Sequence, residues 1–379
     1  MKRTLAMILA LVMLLALCAC GNTETPTPAE NPAPAGETTD TPAGIAPPSI
    51  CIVVGNASDK SFSESCANGA KLCEEKFGCK TKVVEYGTDE TKVLPTVEDL
   101  SDSDWDIIVL AGYANLEVLQ QCAVKYPEQK YILFDQQMEK SYPNVYSADY
   151  KGNEGAFLTG ALAAMVTTAS ADEMPYANPE KVVGWVGGMD MTLINDFTLG
   201  FIQGAHYIDP EVKVITAYTN SFSDTAKGKE LANIMYQSGC DIIYNGAGGA
   251  GMGCLEAGKE NKNYSIGTDS DQAMLFADDP DKANLILASQ LKSLDQNLVS
   301  VVERYMAGEE VFGLNENLGL ADGVICLADN DFYKTNVPQW MRDKVEELTQ
   351  KVKSGEIVVD TAYGMDGDAV HAIIDSARP

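Results

Sequence analysis

The sequence predicts an α/β fold made of two doubly wound lobes, each with a sheet between two layers of helices. Strand-like apolar runs alternate with amphipathic helical stretches along the chain, as in β-α-β units. Some runs, such as IIVL at 107–110, are apolar at every position, which is typical of parallel strands covered on both faces. The alternation restarts near residue 145, so two such units follow each other.

The elements of the first unit alternate from residue 50 onward. We expect strands at 50–54, 82–86, 107–110 and 131–134 and a first helix at 64–77. A strand at 145–147 is expected to end the first unit, and the second unit is predicted to contain helices at 154–168, 197–206 and 225–237 and strands at 182–186, 212–218 and 242–244. A strand at 285–288 and a helix from residue 295 are expected to return to the first lobe. The predicted lobes are 48–147 with about 270–308, and about 148–269 with 309–379, joined by a multi-strand hinge.

The N-terminal residues have the three zones of an export signal. Lys2 and Arg3 precede an apolar run that ends in LCAC at 17–20. The run is shorter than the roughly 20 residues that span a bilayer. Because LCAC resembles a bacterial lipobox, we predict a lipoprotein signal peptide at 1–19 and acylation of Cys20. The protein would then be lipid-anchored on the extracytoplasmic face of the cell membrane. An ordinary signal peptide without lipid is the alternative.

Composition indicates a tether and excludes some partners. Residues 20–47 are rich in Pro, Thr, Glu, Ala and Gly, with too little apolar surface to offset the entropy of ordering them, so we expect a disordered tether. The formal net charge is −28, and it becomes −30 once the two cations of the signal are removed. This sign repels nucleic acid and anionic lipid surfaces, so neither is an expected partner. An acidic, soluble surface is the simpler meaning of the charge.

The cysteines predict neither a metal site nor a dense disulfide framework. Eight follow Cys20, without a C-x-x-C motif, and the chain has only two histidines. A zinc site is therefore not expected. A disulfide between Cys73 and Cys79 is geometrically possible, but scattered cysteines are more often small core residues. We expect no metal and no cofactor.

A glycine-rich loop at 246–251 follows an apolar strand and resembles a dinucleotide-binding motif. Gly246, Gly248 and Gly251 fit G-x-G-x-x-G, and Asp269 follows roughly 20 residues later, where such enzymes hold a ribose. The motif lies late in the chain, and a nicotinamide pool is not expected outside the cytoplasm. We therefore interpret the glycines as permitting close approach of backbone to another ligand, with Gly249 in contact, or as purely structural.

Polar segments follow most of the predicted strands. In open α/β sheets ligands bind outside the carboxyl ends of the strands, so these segments indicate the binding site. These segments and their neighbours form motifs that occur in order over nearly the whole mature domain: GNASDKSF, GWVGGMD with FTLGF, NSFSDTAKGKELA, YNGAGGAGMG, IGTDSDQ and LASQLKS. Together they resemble the basic membrane protein family of ABC-transporter substrate-binding lipoproteins, the purine-nucleoside receptors. The resemblance implies a type I periplasmic-binding-protein fold that closes on a nucleoside and delivers it to an ABC permease.

The resemblance also implies roles for particular side chains. Phe62 and Phe222 would stack on the two faces of a purine from opposite lobes, which agrees with their polar settings in DKSFS and NSFSD. Asp269 and Lys292 match the positions that hold the ribose hydroxyls, with the lysine balancing the carboxylate charge. Asp135 matches an acid at the edge of the base.

Neighbouring polar residues are expected to support these contacts. Ser61 and Ser63 are further ligand-binding residues, and Asp59 either caps the helix or supports the Phe62 loop. A helix N-cap is the alternative for each acid, and it is the preferred interpretation for Asp271.

Three departures from the family pattern leave the base open. Ser63 stands where asparagine usually follows the phenylalanine, Asn220 replaces a glycine and Ala250 replaces a threonine. Serine offers fewer donors than asparagine, so the base would be held partly through water. Adenosine, guanosine and inosine therefore all remain possible ligands of a protein that we expect to be monomeric.

Two other functions remain as alternatives. A binding protein that signals occupancy to a sensory partner would use the same closure, and the sequence does not distinguish it. A secreted nucleoside-processing enzyme would need a positioned base or a metal cluster, and the sequence contains neither G-x-S-x-G nor D-x-D-x-D-G. We therefore predict that the chain is not an enzyme.

Overall fold

The computed structural model describes residues 44–136 and 138–379. The predicted signal peptide, the acylation site at Cys20 and most of the predicted tether lie outside the described residues. Within 44–136 and 138–379 no helix is both long and apolar enough to cross a bilayer.

Two six-stranded sheets form the centres of two lobes, which confirms the predicted fold class. The first sheet contains β1 (Ser49–Val54), β2 (Lys80–Glu85), β3 (Ile107–Ala111), β4 (Lys130–Phe134), β5 (Val145–Tyr150) and β11 (Asn315–Leu318), in the order β11-β5-β4-β3-β1-β2. All neighbours in this sheet are parallel. The second sheet contains β6 (Val182–Gly187), β7 (Lys213–Tyr218), β8 (Cys240–Gly246), β9 (Tyr264–Asp269), β10 (Ile286–Lys292) and β12 (Ile325–Leu327), in the order β12-β10-β9-β8-β6-β7. Of these strands, β12 alone is antiparallel to its neighbour.

Helices cover both faces of each sheet. The helices of the first lobe are α1 (Phe62–Phe77), α2 (Val93–Ser101), α3 (Leu116–Lys125) and α10 (Leu294–Met306). Those of the second lobe are α4 (Gly152–Thr168), α5 (Thr192–Ile208), α6 (Thr225–Gln237), α7 (Met252–Asn261), α8 (Gln272–Leu275), α9 (Pro280–Ala283), α11 (Asp331–Asn336), α12 (Gln339–Lys353) and α13 (Gly367–Ser376). Short 3₁₀ turns occupy Glu90–Lys92, Tyr113–Asn115 and Gly248–Gly251.

The alternation of side chains along β1 explains the three layers of the first lobe. Ile50 and Ile52 point into the cluster that contains α1, and Cys51 and Val53 point into the cluster that contains α2 and α3. All four side chains are fully buried. A strand buried on both faces is a continuous apolar run in the sequence, which is why the run predicted a covered parallel sheet.

The boundaries between the lobes differ from the predicted ones. Strand β10 pairs with β9 in the second sheet, so residues 270–292 stay in the second lobe, although we placed 270–308 in the first. The chain returns to the first lobe only at α10, which packs on α1. Strand β11 then pairs with β5 in the first sheet, although we placed 309–379 in the second lobe. Apolar runs identify strands but carry no information about which sheet accepts them, since that depends on the crossover.

Helices α4 and α5 pack closely against each other in the second lobe. A Cβ added at Gly204 would lie 1.9 Å from the carbonyl oxygen of Phe157, and one at Gly160 would lie 2.0 Å from that of Phe201. The two backbones can approach this closely only because both positions lack a side chain. Helix α5 therefore has a fixed position, and its first turns reach the carboxyl edge of the second sheet.

We expect Gly204→Ala to destabilise the protein. The new methyl group would overlap backbone atoms of α4, which cannot move as a side-chain tip does, and overpacking of this kind costs about 1 to 3 kcal/mol. The free energy of unfolding, measured by denaturant titration, should fall by that amount. Gly367→Ala is the control, because no atom outside its own stretch of helix lies within 4 Å of the position that its new methyl group would occupy, and it should change stability by less than about 0.5 kcal/mol. Equal losses would contradict the packing argument.

The cysteines are core residues. All eight in the described chain are free thiols, and seven of them are buried, with Cys326 partly exposed. Burial raises the pKa of the Cys66 thiol to about 12, so this group stays protonated and unreactive at neutral pH.

Candidate ligand-binding cleft

A cavity of about 400 Å³ lies between the lobes, at the carboxyl ends of the strands. This volume falls within the range of roughly 300 to 1,000 Å³ that is usual for sites of small organic ligands. Both lobes contribute to its walls. The first lobe supplies Asp59, Phe62, Ser63, Tyr113 and Asp135, and the second supplies Phe197, Phe222, Thr268, Asp269 and Lys292.

Two of the carboxylates that line the cleft, Asp135 and Asp269, occupy an uncommon backbone conformation. Asp135 follows β4 with φ of 65°, and Asp269 ends β9 with φ of 63°. Asp is one of the few residues that tolerate the left-handed region, because its short side chain can hydrogen-bond locally. Such conformations concentrate at functional sites, where the surrounding structure holds them. One acid from each lobe is therefore held at the edge of its sheet.

A buried ion pair joins the two lobes at the cleft. The Nζ atom of Lys292 lies 2.6 Å from Oδ1 of Asp135, and both side chains are about 5% exposed. Burial alone would lower the pKa of the Lys292 ammonium, but the carboxylates of Asp135, Asp269 and Asp149 raise it above its usual value. The lysine is therefore charged at neutral pH. From the sequence we expected Lys292 to balance the charge of Asp269, and the two charges do interact, while the direct hydrogen bond of Lys292 goes to Asp135.

Asp269 is bonded to the opposite lobe instead. Its Oδ2 atom accepts a hydrogen bond of 2.8 Å from Oγ of Ser61. Burial raises the pKa of the Asp269 carboxyl to about 6, against the opposing effects of Lys292 and Ser61. Asp149, on β5, also has its pKa raised to about 6, by burial and by the charge of Asp135. Three carboxylates thus surround the Lys292 ammonium.

Each of the two predicted phenylalanines lies against a glycine. Phe62 packs beside Gly112, where an added Cβ would be 3.4 Å from the ring, and Phe222 packs on Gly188, where it would be 2.2 Å from the ring. Both rings are half-buried and line the cleft from opposite lobes. An aromatic wall in each lobe suits a planar ligand.

Asp59 supports the Phe62 loop by capping α1. Its Oδ2 atom accepts from the backbone N–H of Ser63 at 2.9 Å, and its Oδ1 atom accepts from those of Ser61 and Glu64 at 2.9 and 3.0 Å. These N–H groups would otherwise lack partners in the first turn of the helix. Asp59 therefore combines the two roles that the sequence left open.

The remaining predicted residues are placed as follows. Asp271 caps α8, with Oδ1 accepting from the N–H of Met274 at 3.3 Å, as we preferred from the sequence. Gly249 does not line the cleft, whereas Gly246 and Gly248 of the same loop do. Ser61 is fully buried and reaches the site only through Asp269.

Sequence reasoning missed several lining residues. Tyr113 follows β3, its ring centroid lies 5.8 Å from that of Phe222, and its hydroxyl donates to Glu90 at 2.9 Å. Ligands bind beyond the carboxyl ends of strands in such sheets, so the position of Tyr113 after β3 could have identified it. Phe197 lies on α5, with its ring centroid 5.0 Å from the Lys292 ammonium. Hydrophobic periodicity predicts that Phe197 belongs to the apolar face of a helix, but it does not indicate that the residue lines a binding site.

A family model described as ABC transporter substrate-binding protein PnrA-like, Bmp, matches residues 49–362. The chain belongs to the Bmp family. The resemblance inferred from the motifs is thereby confirmed. "Basic membrane protein A" of Borreliella afzelii is 30% identical over 318 residues, which cover 82% of this chain and 91% of that one.

Solved structures agree with this assignment. The crystal structure of an ABC transporter system solute-binding protein from Aeropyrum pernix K1 has a TM-score of 0.75 and 28% identity, covering 87% of this chain and 97% of that one. A transcriptional activator of the comK gene from Bacillus halodurans has a TM-score of 0.66 at 20% identity, covering 81% and 98%, and shows the fold alone. The Bmp chain is thus an extracytoplasmic substrate-binding protein of the ABC transporter class, a class of solute binders rather than enzymes.

Proposed function

We propose that this Bmp protein captures a purine nucleoside between its lobes and delivers it to an ABC permease. The observation that carries the proposal is the pairing of Phe62 and Phe222 from opposite lobes beside the buried charges of Asp269, Lys292 and Asp135. Stacking on an aromatic ring contributes about 1 to 3 kcal/mol per base and requires only a π face. Because each lobe supplies one ring, ligand capture is coupled to closure.

The charged end of the cleft suits a ribose. Oδ2 of Asp269 accepts from Ser61, and no described residue donates to Oδ1, whose lone pairs can accept from two sugar hydroxyls. Lys292 has three N–H donors, of which Asp135 takes one, and the others can donate to hydroxyl oxygens. The sugar therefore finds acceptors and donors side by side, and Asp135 and Ser63 lie where they can reach polar edges of the ligand.

Anchoring and delivery belong to the same proposal. Acylated Cys20 and the tether would hold the monomeric protein at the extracytoplasmic face of the membrane, within reach of the permease. Deleting the chain should abolish uptake of radiolabelled purine nucleosides in the source bacterium. Unchanged uptake would argue against transport and favour a sensing role.

Calorimetry with a ligand panel tests the proposed specificity. We expect one molecule of adenosine, guanosine or inosine per chain to bind, with free ribose and free purine base both much weaker, since each contacts only half of the cleft. Ribose binding as tightly as a nucleoside would contradict a role for the two phenylalanines. Release of free base during incubation would indicate an enzyme instead.

Nucleoside affinity should depend on pH through Asp269. The carboxyl has a pKa of about 6, and only its ionised form can accept from two donors, so affinity should be constant above pH 7 and fall about tenfold per unit below pH 6. Asp269→Asn should bind weakly and without this dependence. Asp149→Asn is the control for the neighbouring acid of similar pKa and should keep the wild-type profile. An affinity that is constant from pH 5 to 7.5 would contradict the assignment.

A further inference from the structure

Direct hydrogen bonds join the lobes beside the cleft. They connect Lys60 and Ser61, which precede α1 in the first lobe, with Asp269, Ser270 and Gln272 of the second. The side-chain Nε2 of Gln272 donates to the carbonyl oxygen of Lys60 at 3.0 Å, and Oγ of Ser270 donates to that of Ser61 at 2.9 Å. With the bond from Ser61 to Asp269, these contacts form what we call the inter-lobe latch.

Gln272 is the most constrained member of the latch. It is fully buried, and its Oε1 atom accepts from the backbone N–H of Thr268 at 3.2 Å and from Nδ2 of Asn245 at 3.4 Å. Its own backbone N–H donates to Oγ of Ser289 at 3.1 Å. Because the partner on one side is an N–H and the partner on the other is a carbonyl, only one orientation of the amide satisfies both. The oxygen is fixed in the second lobe and the nitrogen reaches the first.

The latch joins two residues of uncommon backbone conformation. Lys60 has φ of 57° and Asp269 has φ of 63°. Outside glycine such conformations persist only where surrounding contacts hold them. Lys60 lies two residues before Phe62, the first residue of α1, and Thr268, bonded to Gln272, precedes Asp269. The side-chain amide of Gln272 therefore links the segment that contains Phe62 to the segment that contains Asp269.

We propose that Gln272 is a positioning residue: with Ser270 it sets the distance between the Phe62 loop and Asp269 and stabilises the closed arrangement of the lobes before a ligand enters. If the closed, binding-competent state is already populated without ligand, less binding free energy is needed to close the lobes. The observed affinity is then higher. The latch itself does not depend on which ligand binds, whereas its effect on affinity rests on the proposed nucleoside function.

Gln290 provides a matched control. It is also a buried glutamine with a fully bonded amide, since Oε1 accepts from Oη of Tyr244 at 2.6 Å and Nε2 donates to the carbonyl oxygen of Gly152 at 2.9 Å. Both of these partners belong to the second lobe. Replacing either glutamine by methionine removes the hydrogen bonds of a buried amide. Only Gln272→Met removes a hydrogen bond between the two lobes.

The test measures closure without ligand. Small-angle scattering and a fluorescence pair, one dye on each lobe, are recorded for ligand-free wild type, Gln272→Met, Gln290→Met and Ser270→Ala. We expect a more open distribution for Gln272→Met and Ser270→Ala and a wild-type distribution for Gln290→Met. Ser270 is only partly buried, so its variant tests the latch even if Gln272→Met does not fold.

Nucleoside titration then separates the two proposals. For the latch variants the dissociation constant should rise by the factor by which the closed fraction falls. If no nucleoside binds wild type while the latch variants still open, the nucleoside proposal fails and the latch stands. If the ligand-free distributions of Gln272→Met and Gln290→Met coincide, or Ser270→Ala matches wild type, the latch is refuted.

Discussion

Replacing Asp269 with alanine is expected to weaken purine-nucleoside binding by about 100-fold or more. A hydrogen bond to a charged group contributes about 1.5 to 3 kcal/mol, and a carboxylate that accepts from two ribose hydroxyls makes two of them. The variant should fold, because Lys292 keeps its ion pair with Asp135. Isothermal titration calorimetry with the preferred nucleoside measures the loss.

Asp271→Ala is the matched control for this prediction. Asp271 lies two residues away but caps α8 and accepts from Nδ2 of Asn330 at 2.7 Å. Its removal should cost about 1 kcal/mol of stability, as expected for a lost cap, and change affinity by less than about threefold. Equal losses of affinity in the two variants would refute the assignment of Asp269 to the ribose.

Phe222→Ala should reduce nucleoside affinity by about 5- to 150-fold while leaving the melting temperature of the ligand-free protein nearly unchanged. The affinity range corresponds to the roughly 1 to 3 kcal/mol of one stacked base. Stability should change little because the ring is only half-buried and its aromatic neighbour Tyr113 belongs to the other lobe. Calorimetry and thermal unfolding of the same preparations check both parts.

Two further variants test whether Phe222 is a stacking wall of the cleft or a core residue. Phe222→Leu keeps an apolar side chain without a π face and should recover little affinity. Phe201→Ala removes a fully buried ring from α5 and should cost about 3 to 5 kcal/mol of stability. If Phe222→Ala lowers stability as much as Phe201→Ala, then Phe222 is a core residue and not a wall of the cleft.

Most strands and several helices could be predicted from the sequence because their burial is visible in it. The run at 107–110 is apolar at each position, and in the fold β3 is covered on both faces. The membership of β10 and β11 could not be predicted. The sheet that receives each strand is set by pairing in the folded protein: β10 pairs with β9, the strand before it, and β11 pairs with β5, which is distant along the chain.

The site was partly predictable for a similar reason. Phe62 and Asp135 follow strands of the first sheet, and Phe222 and Asp269 lie at strand ends of the second, so the geometry of a parallel sheet brings each pair to the carboxyl edge of its own sheet. The partner of Lys292 was not predictable, because which of several nearby carboxylates receives a hydrogen bond depends on ångström-scale placement. In the sequence, Gly112 and Gly188 could be recognised only as turn residues. Their contacts with Phe62 and Phe222 join segments that are distant along the chain, so the sequence did not reveal them.

Native mass spectrometry of freshly purified protein tests the central claim most directly. A closed binding protein retains its ligand through purification, so wild type should carry the mass of one intact purine nucleoside. The Asp269→Ala protein, prepared in parallel, should carry none. A wild-type protein without any adduct after incubation with purine nucleosides, or with a bound free base or sugar alone, would contradict the claim that the cleft captures an intact nucleoside.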